Sequence, residues 1–158
     1  MCLLRAVSQF KPPLSDLKLI YIQYIRSLLE QSCVVWHSSL TQENKDDIER
    51  VQKNSMRVIL RQSYTTYKNA LNILDLETLE ERREKFSLKF ALKCLKCSHT
   101  ENLFEHKEKH HEMKLRHSEQ FEVTHVKTQR YKNSAVPYMQ KLLNKHYQQK
   151  EELECSKG

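Results

Sequence analysis

Cys94 and Cys97 stand in a Cys-Leu-Lys-Cys turn, and His106, His110 and His111 follow it. Thiolate and imidazole are the ligands a tetrahedral zinc ion takes. The interval between the cysteines and the histidines departs from zinc-finger spacing, and Cys94 also falls on an apolar helical stripe, where a thiol packs as a small hydrophobe. Cys94, Cys97, His106 and His110 are therefore the candidates for a metal, and packing accounts for Cys94 without one. Asp46-Asp47 could hold Mg²⁺ for phosphoryl transfer, but the pair lies in the first turns of a helix, where the dipole alone favours carboxylates. No catalytic residue and no cofactor follow from it. The basic residues offer more. Lys53, Arg57 and Arg61 recur at i, i+4 and i+8, drifting slowly around one side of a helix, and could meet successive phosphates. Arg82, Arg83, Lys85 and Lys89 add charge on a later helix. A solvated basic face would carry the same pattern. Among the aromatics that could stack on bases, Tyr21, Tyr24 and Trp36 share a helical stripe and read as core, whereas Tyr64 and Tyr67 have no such assignment.

The elements that must position these groups are helices. The 158 residues contain one glycine, Gly158, where an average chain of this length has about 11. Glycine-rich phosphate loops are thereby excluded, and tight hairpins are disfavoured. Net charge is +7, with 39% hydrophobic and 30% charged residues, a balance that suits polyanionic partners. Five cysteines without a disulfide framework read as a reducing, intracellular setting, cytoplasmic or nuclear. No apolar run approaches the roughly 20 residues of a membrane helix.

Leu17, Ile20, Tyr21, Tyr24, Ile25, Leu28 and Leu29 keep helical spacing that continues to Cys33 and Trp36, so a helix from Ser15 to near Trp36 is predicted, with Ser15 as its cap. Ser39 to Gln42 supply caps for a second helix, whose apolar face is Ile48, Val51, Val58 and Ile59. A short third helix fits Tyr67, Ala70, Leu71 and Leu74. Thr78-Leu79-Glu80-Glu81 is a capping box, and the helix after it presents Leu79, Phe86, Phe90, Ala91, Cys94 and Leu95 as its buried stripe. Residues 98–133 hold six of the eight histidines and lose the period. They read as a long irregular connection, with an extended piece near Phe121 to Val126. Ser134 and Pro137 open a last helix with Met139, Leu142, Leu143 and Tyr147 on its face. The expectation is an all-α bundle of about four to five helices: a bundle over 1–97, the connection over 98–133, a helix over 134–150 and a frayed tail over 151–158.

The strings DLKLIYIQYIRSLLEQSCVVWHSSLT, DDIERVQKNSMRVIL, YKNALNILDLETLEERREKFSLKFALKCLK and YKNSAVPYMQKLLN, in that order from about Leu3 to about Lys145, resemble the C-terminal part of jockey-like non-LTR retrotransposon reverse transcriptases. The resemblance implies a thumb-like helical module that packs beside a polymerase palm and grips template–primer duplex, with RNA, DNA or their hybrid as partner. The family's aromatic-Ala-Asp-Asp palm turn is missing. Asp46-Asp47 follows Asn44-Lys45 and does not match it, so no catalytic residue carries over and the chain is expected to start inside a longer ancestral frame. Sequence-independent binding through Lys53, Arg57, Arg61, Arg82, Arg83, Lys85 and Lys89 is the expected activity. The alternative is a helical protein-interaction module whose apolar stripes seek a palm domain or another partner.

Overall fold

The computed structural model describes residues 2–100, 103, 104, 121, 123 and 127–155, and among them the chain is all-α, with no strand. It divides into two compact units, one made of Met1–Cys33 and Leu40–Glu84, the other of Val34–Ser39 and Lys85–Gly158. Residues 1–97 are thus shared between the two. The helices among the described residues outnumber the four to five expected, because short pieces flank the long ones.

In the first unit, α1 (Cys2–Gln9) precedes the Pro12-Pro13 break. α2 (Leu14–Ile20) begins after Pro13, so Ser15 lies inside the first turn rather than capping it. The chain then widens into a π-helical segment, Tyr21–Arg26, and recovers α-helical pitch in α3 (Ser27–Glu30). The expected helix to Trp36 stops here, because Ser32 turns to φ 51°. A separate turn, α4 (Cys33–Trp36), follows, and from Val34 it belongs to the second unit. The i→i+5 turn also rotates the buried face. Leu17 and Tyr21 are buried and Ile22 and Ile25 pack beside them, while Tyr24 and Leu28, expected inside, are 59% and 71% exposed.

α5 (Gln42–Leu60) is capped by Thr41, whose side chain accepts from the Asn44 N–H. α6 (Tyr67–Leu74) is capped in the same way by Thr66. α1, α2, α5 and α6 pack together around Leu4, Leu17, Tyr21, Met56, Ile59, Leu60, Ala70, Leu71 and Leu74. With no internal glycine, the chain turns at ordinary residues: Lys11, Ser32, Arg61 and Asp75 have φ between 48° and 51°, a conformation that costs a residue with a Cβ roughly 1–2 kcal/mol.

α7 (Leu79–Cys94) opens with a reciprocal capping box. The Glu81 N–H donates to Thr78 Oγ1 at 3.2 Å, and the Thr78 N–H donates to Glu81 Oε2 at 3.3 Å. Thr78→Ala removes one acceptor and is expected to cost about 1 kcal/mol in chemical denaturation; an unchanged midpoint would show that the cap contributes nothing.

In the second unit, a core of Ala91, Cys94, Phe104, Phe121, Met139 and Leu143 forms between α7 and the last helix. A short α8 (Gln129–Lys132) is capped by Thr128. α9 (Ala135–Cys155) continues past 150, where fraying was expected. The buried Asn144 amide holds Phe121 from both sides, accepting from its N–H at 2.9 Å and donating to its carbonyl at 3.0 Å. Buried His37 meets Tyr138 edge to face with ring centroids 5.7 Å apart. The rest of the extended piece near Phe121 to Val126, apart from Val123, lies outside the described residues.

Candidate nucleic-acid interface

The polar groups of the first unit converge on Gln52, in the middle of α5 and fully buried. Its Oε1 accepts from the Tyr21 hydroxyl at 2.5 Å. Its Nε2 donates to Tyr67 Oη at 3.0 Å and to the Glu77 carbonyl at 2.9 Å. The Tyr67 hydroxyl donates in turn to Glu49 Oε1, which also accepts from the Leu79 N–H at 3.3 Å. Both phenols are pushed above their ordinary range, mainly by burial, and for Tyr67 also by the hydrogen bond to Glu49. The network fixes Tyr67 as a neutral phenol beside α5.

That placement brings basic and aromatic residues together. Lys53 Nζ lies over the Tyr67 ring, 5.1 Å from its centroid. One turn further along α5, Arg57 Cζ lies 5.3 Å from the centroid of Tyr64, and Arg57 Nη1 donates to Asn54 Oδ1 at 3.1 Å. Arg61 stands exposed at the end of α5, where its N–H bonds the Arg57 carbonyl. Lys53, Arg57 and Arg61 therefore form a basic strip on one element, backed by two tyrosines. The tyrosines carry no signal of this in the sequence: they are seven and fourteen residues from the cations they meet, and only the turn between α5 and α6 brings them back.

Two candidates are corrected by their surroundings. Arg83 is fully buried rather than presented to phosphate. Desolvation lowers its pKa, and the charges of Glu49 and Glu80 oppose that shift. It sits on the face Leu79–Arg83–Ser87–Ala91 of α7, which turns inward, while Phe86 and Phe90, expected in the core, are 36% and 43% exposed. Hydropathy ranked those positions in the wrong order because it scores a side chain without its partners. Arg82 is engaged by Glu30 through Nε at 2.5 Å and Nη2 at 3.1 Å. This paired contact raises the Arg82 pKa. Arg26, also near Glu30, is lowered by desolvation and then by the Arg82 charge. These arginines border an open cleft of about 440 Å³ that Asn72, Asp75 and Glu77 also line, so its charges are mixed. Lys85 and Lys89 are exposed on the part of α7 that belongs to the second unit.

Asp46 and Asp47 lie exposed near the start of α5. Asp46 accepts from Gln42 at 3.1 Å and Asp47 pairs with Arg50 at 2.8 Å. Cys94 is buried and Cys97 exposed, the Cys97 thiol being lowered chiefly by a backbone hydrogen bond from His99. His106, His110 and His111 lie outside the described residues. Among the described residues no three potential ligands cluster for a metal, and no helix is long and apolar enough to cross a membrane. No family model, curated protein or solved structure matches the chain.

Proposed function

We propose that the chain is a non-catalytic, thumb-like helical module that binds RNA, DNA or their hybrid without regard to sequence, in an intracellular setting. The observation that carries this reading is the strip of Lys53, Arg57 and Arg61, with its cations set over Tyr67 and Tyr64. The net charge of +7 favours the same class of partner. Lys85 and Lys89 are exposed on the second unit. The resemblance of the strings to the C-terminal region of jockey-like reverse transcriptases supports the same activity, since a thumb grips the backbone of a duplex.

Three phosphate contacts on duplex give a log–log salt slope of about −2.7, so affinity should fall roughly 40-fold between 50 and 200 mM salt. Filter binding with two unrelated duplex sequences measures both properties. No retention at the lower salt sinks the proposal, and so does a large preference for one sequence.

A protein-interaction module is the second reading. Exposed Phe10, at 85%, and exposed Tyr24 and Leu28 favour it. It gains if Lys53→Glu/Arg57→Glu leaves nucleic-acid retention unchanged while the chain self-associates in light scattering.

A further inference from the structure

We infer that Tyr64 and Tyr67 are positioning residues that hold Arg57 and Lys53 for phosphate contact, so that the strip binds the sugar–phosphate backbone and does not stack on bases. The inference rests on the nucleic-acid reading above and narrows it to the chemistry being read. Exposed aromatics next to cations in a nucleic-acid site ordinarily suggest platforms for unstacked bases. Here both rings are already occupied. Each is half-buried and packs against the core of the first unit, and each carries a cation, Lys53 at 5.1 Å from the Tyr67 centroid and Arg57 at 5.3 Å from the Tyr64 centroid. A base that stacked on either ring would have to displace the cation that should meet its own phosphate.

Hydrogen bonds hold one of the rings and one of the cations. The Tyr67 hydroxyl is held by Glu49 and Gln52, and Arg57 is held a second time by Asn54 at 3.1 Å. Long cationic side chains lose rotamer freedom when they bind an anion, and for these two much of that loss has already occurred. Four residues of α-helix advance about 6 Å, near the separation of successive phosphates along one strand. The two seated cations are thus set to meet neighbouring phosphates, with no group in the pair that distinguishes one base from another.

Fluorescence anisotropy on the full chain at low salt, with labelled oligothymidylate and an abasic strand of equal length, tests this. The abasic strand should bind within about threefold of oligothymidylate, because the phosphates are unchanged; a larger loss, as stacking would give, overturns the inference while leaving nucleic-acid binding intact. Failure to bind either strand while duplex is still retained also overturns the inference, and failure to retain duplex as well refutes the underlying reading instead. Tyr64→Phe keeps the ring face and should keep the affinity. Tyr64→Leu should lose about two- to fivefold on both strands alike, and adding it to Arg57→Ala should cost nothing further. A loss confined to the strand with bases, or full additivity with Arg57→Ala, overturns the inference. Circular dichroism of each variant shows that it is helical before it is scored.

Discussion

Gln52→Leu is expected to destabilise the chain by about 3 kcal/mol in urea unfolding, although leucine nearly matches glutamine in volume and hydropathy alone would favour it. The cost comes from the partners left behind. Gln52 is fully buried and makes three hydrogen bonds, to the Tyr21 hydroxyl, the Tyr67 hydroxyl and the Glu77 carbonyl. Tyr21 is itself 0% exposed, so its hydroxyl could not turn to water. A buried polar group deprived of its partner costs about 1–3 kcal/mol, and here more than one loses a bond at once. Removing both sides of a hydrogen bond costs less than removing one. Adding Tyr21→Phe should therefore return about 1 kcal/mol to the Gln52→Leu chain. A loss under about 1 kcal/mol for Gln52→Leu, or no recovery in the double variant, would show that the network does not hold these helices together. The same substitution should also weaken nucleic-acid binding modestly, since Gln52 fixes the ring on which Lys53 rests.

Arg83→Met should separate stability from binding in the opposite sense to Arg57→Ala. Methionine retains the apolar stem of Arg83 but removes a charge that burial disfavours and that the charges of Glu49 and Glu80 only partly offset. Methionine is also shorter than arginine and leaves a gap in a fully buried site, so a loss of about 1–3 kcal/mol in denaturation is expected. The affinity of the folded fraction for nucleic acid should not change, because no part of Arg83 reaches solvent. Arg57→Ala should do the reverse: a stability change within about 0.5 kcal/mol, as for an exposed helical position, and a clear fall in affinity. Denaturation and anisotropy on both variants make the comparison. If Arg83→Met lowers affinity as far as Arg57→Ala does, the burial of Arg83 does not describe the protein in solution.

The contrast between these two arginines shows where reading the chain by itself succeeds and fails. Both stand in basic helical strings, and both were reasonable phosphate ligands by type and spacing. Arg57 remains one because its helix face meets solvent. Arg83 does not, because four residues on either side Leu79 and Ser87 turn the same face inward. The same blindness placed Phe86 and Phe90 inside and Tyr24 and Leu28 on the first helix's core stripe. For the last two the cause is the π-helical segment at Tyr21–Arg26, which shifts the face by a residue and leaves no sign in hydrophobic spacing.

What the chain dictates locally is its helicity and its helix starts. A chain without internal glycine makes few tight reversals, and Thr41 and the Thr78–Glu81 box act over three residues, a distance at which side chain and backbone meet whatever the rest of the fold does. Helix faces of short elements such as α6 were legible for the same reason. The candidate site belongs to the other category. Lys53 and Arg57 acquire tyrosine seats only when the turn after α5 returns the chain against that helix. Gln52 becomes a buried hydrogen-bonding centre only when Tyr21, Tyr67 and the Glu77 carbonyl close around it. Burial of a polar group depends on whether a partner waits there, and partners distant in sequence are supplied by tertiary packing alone.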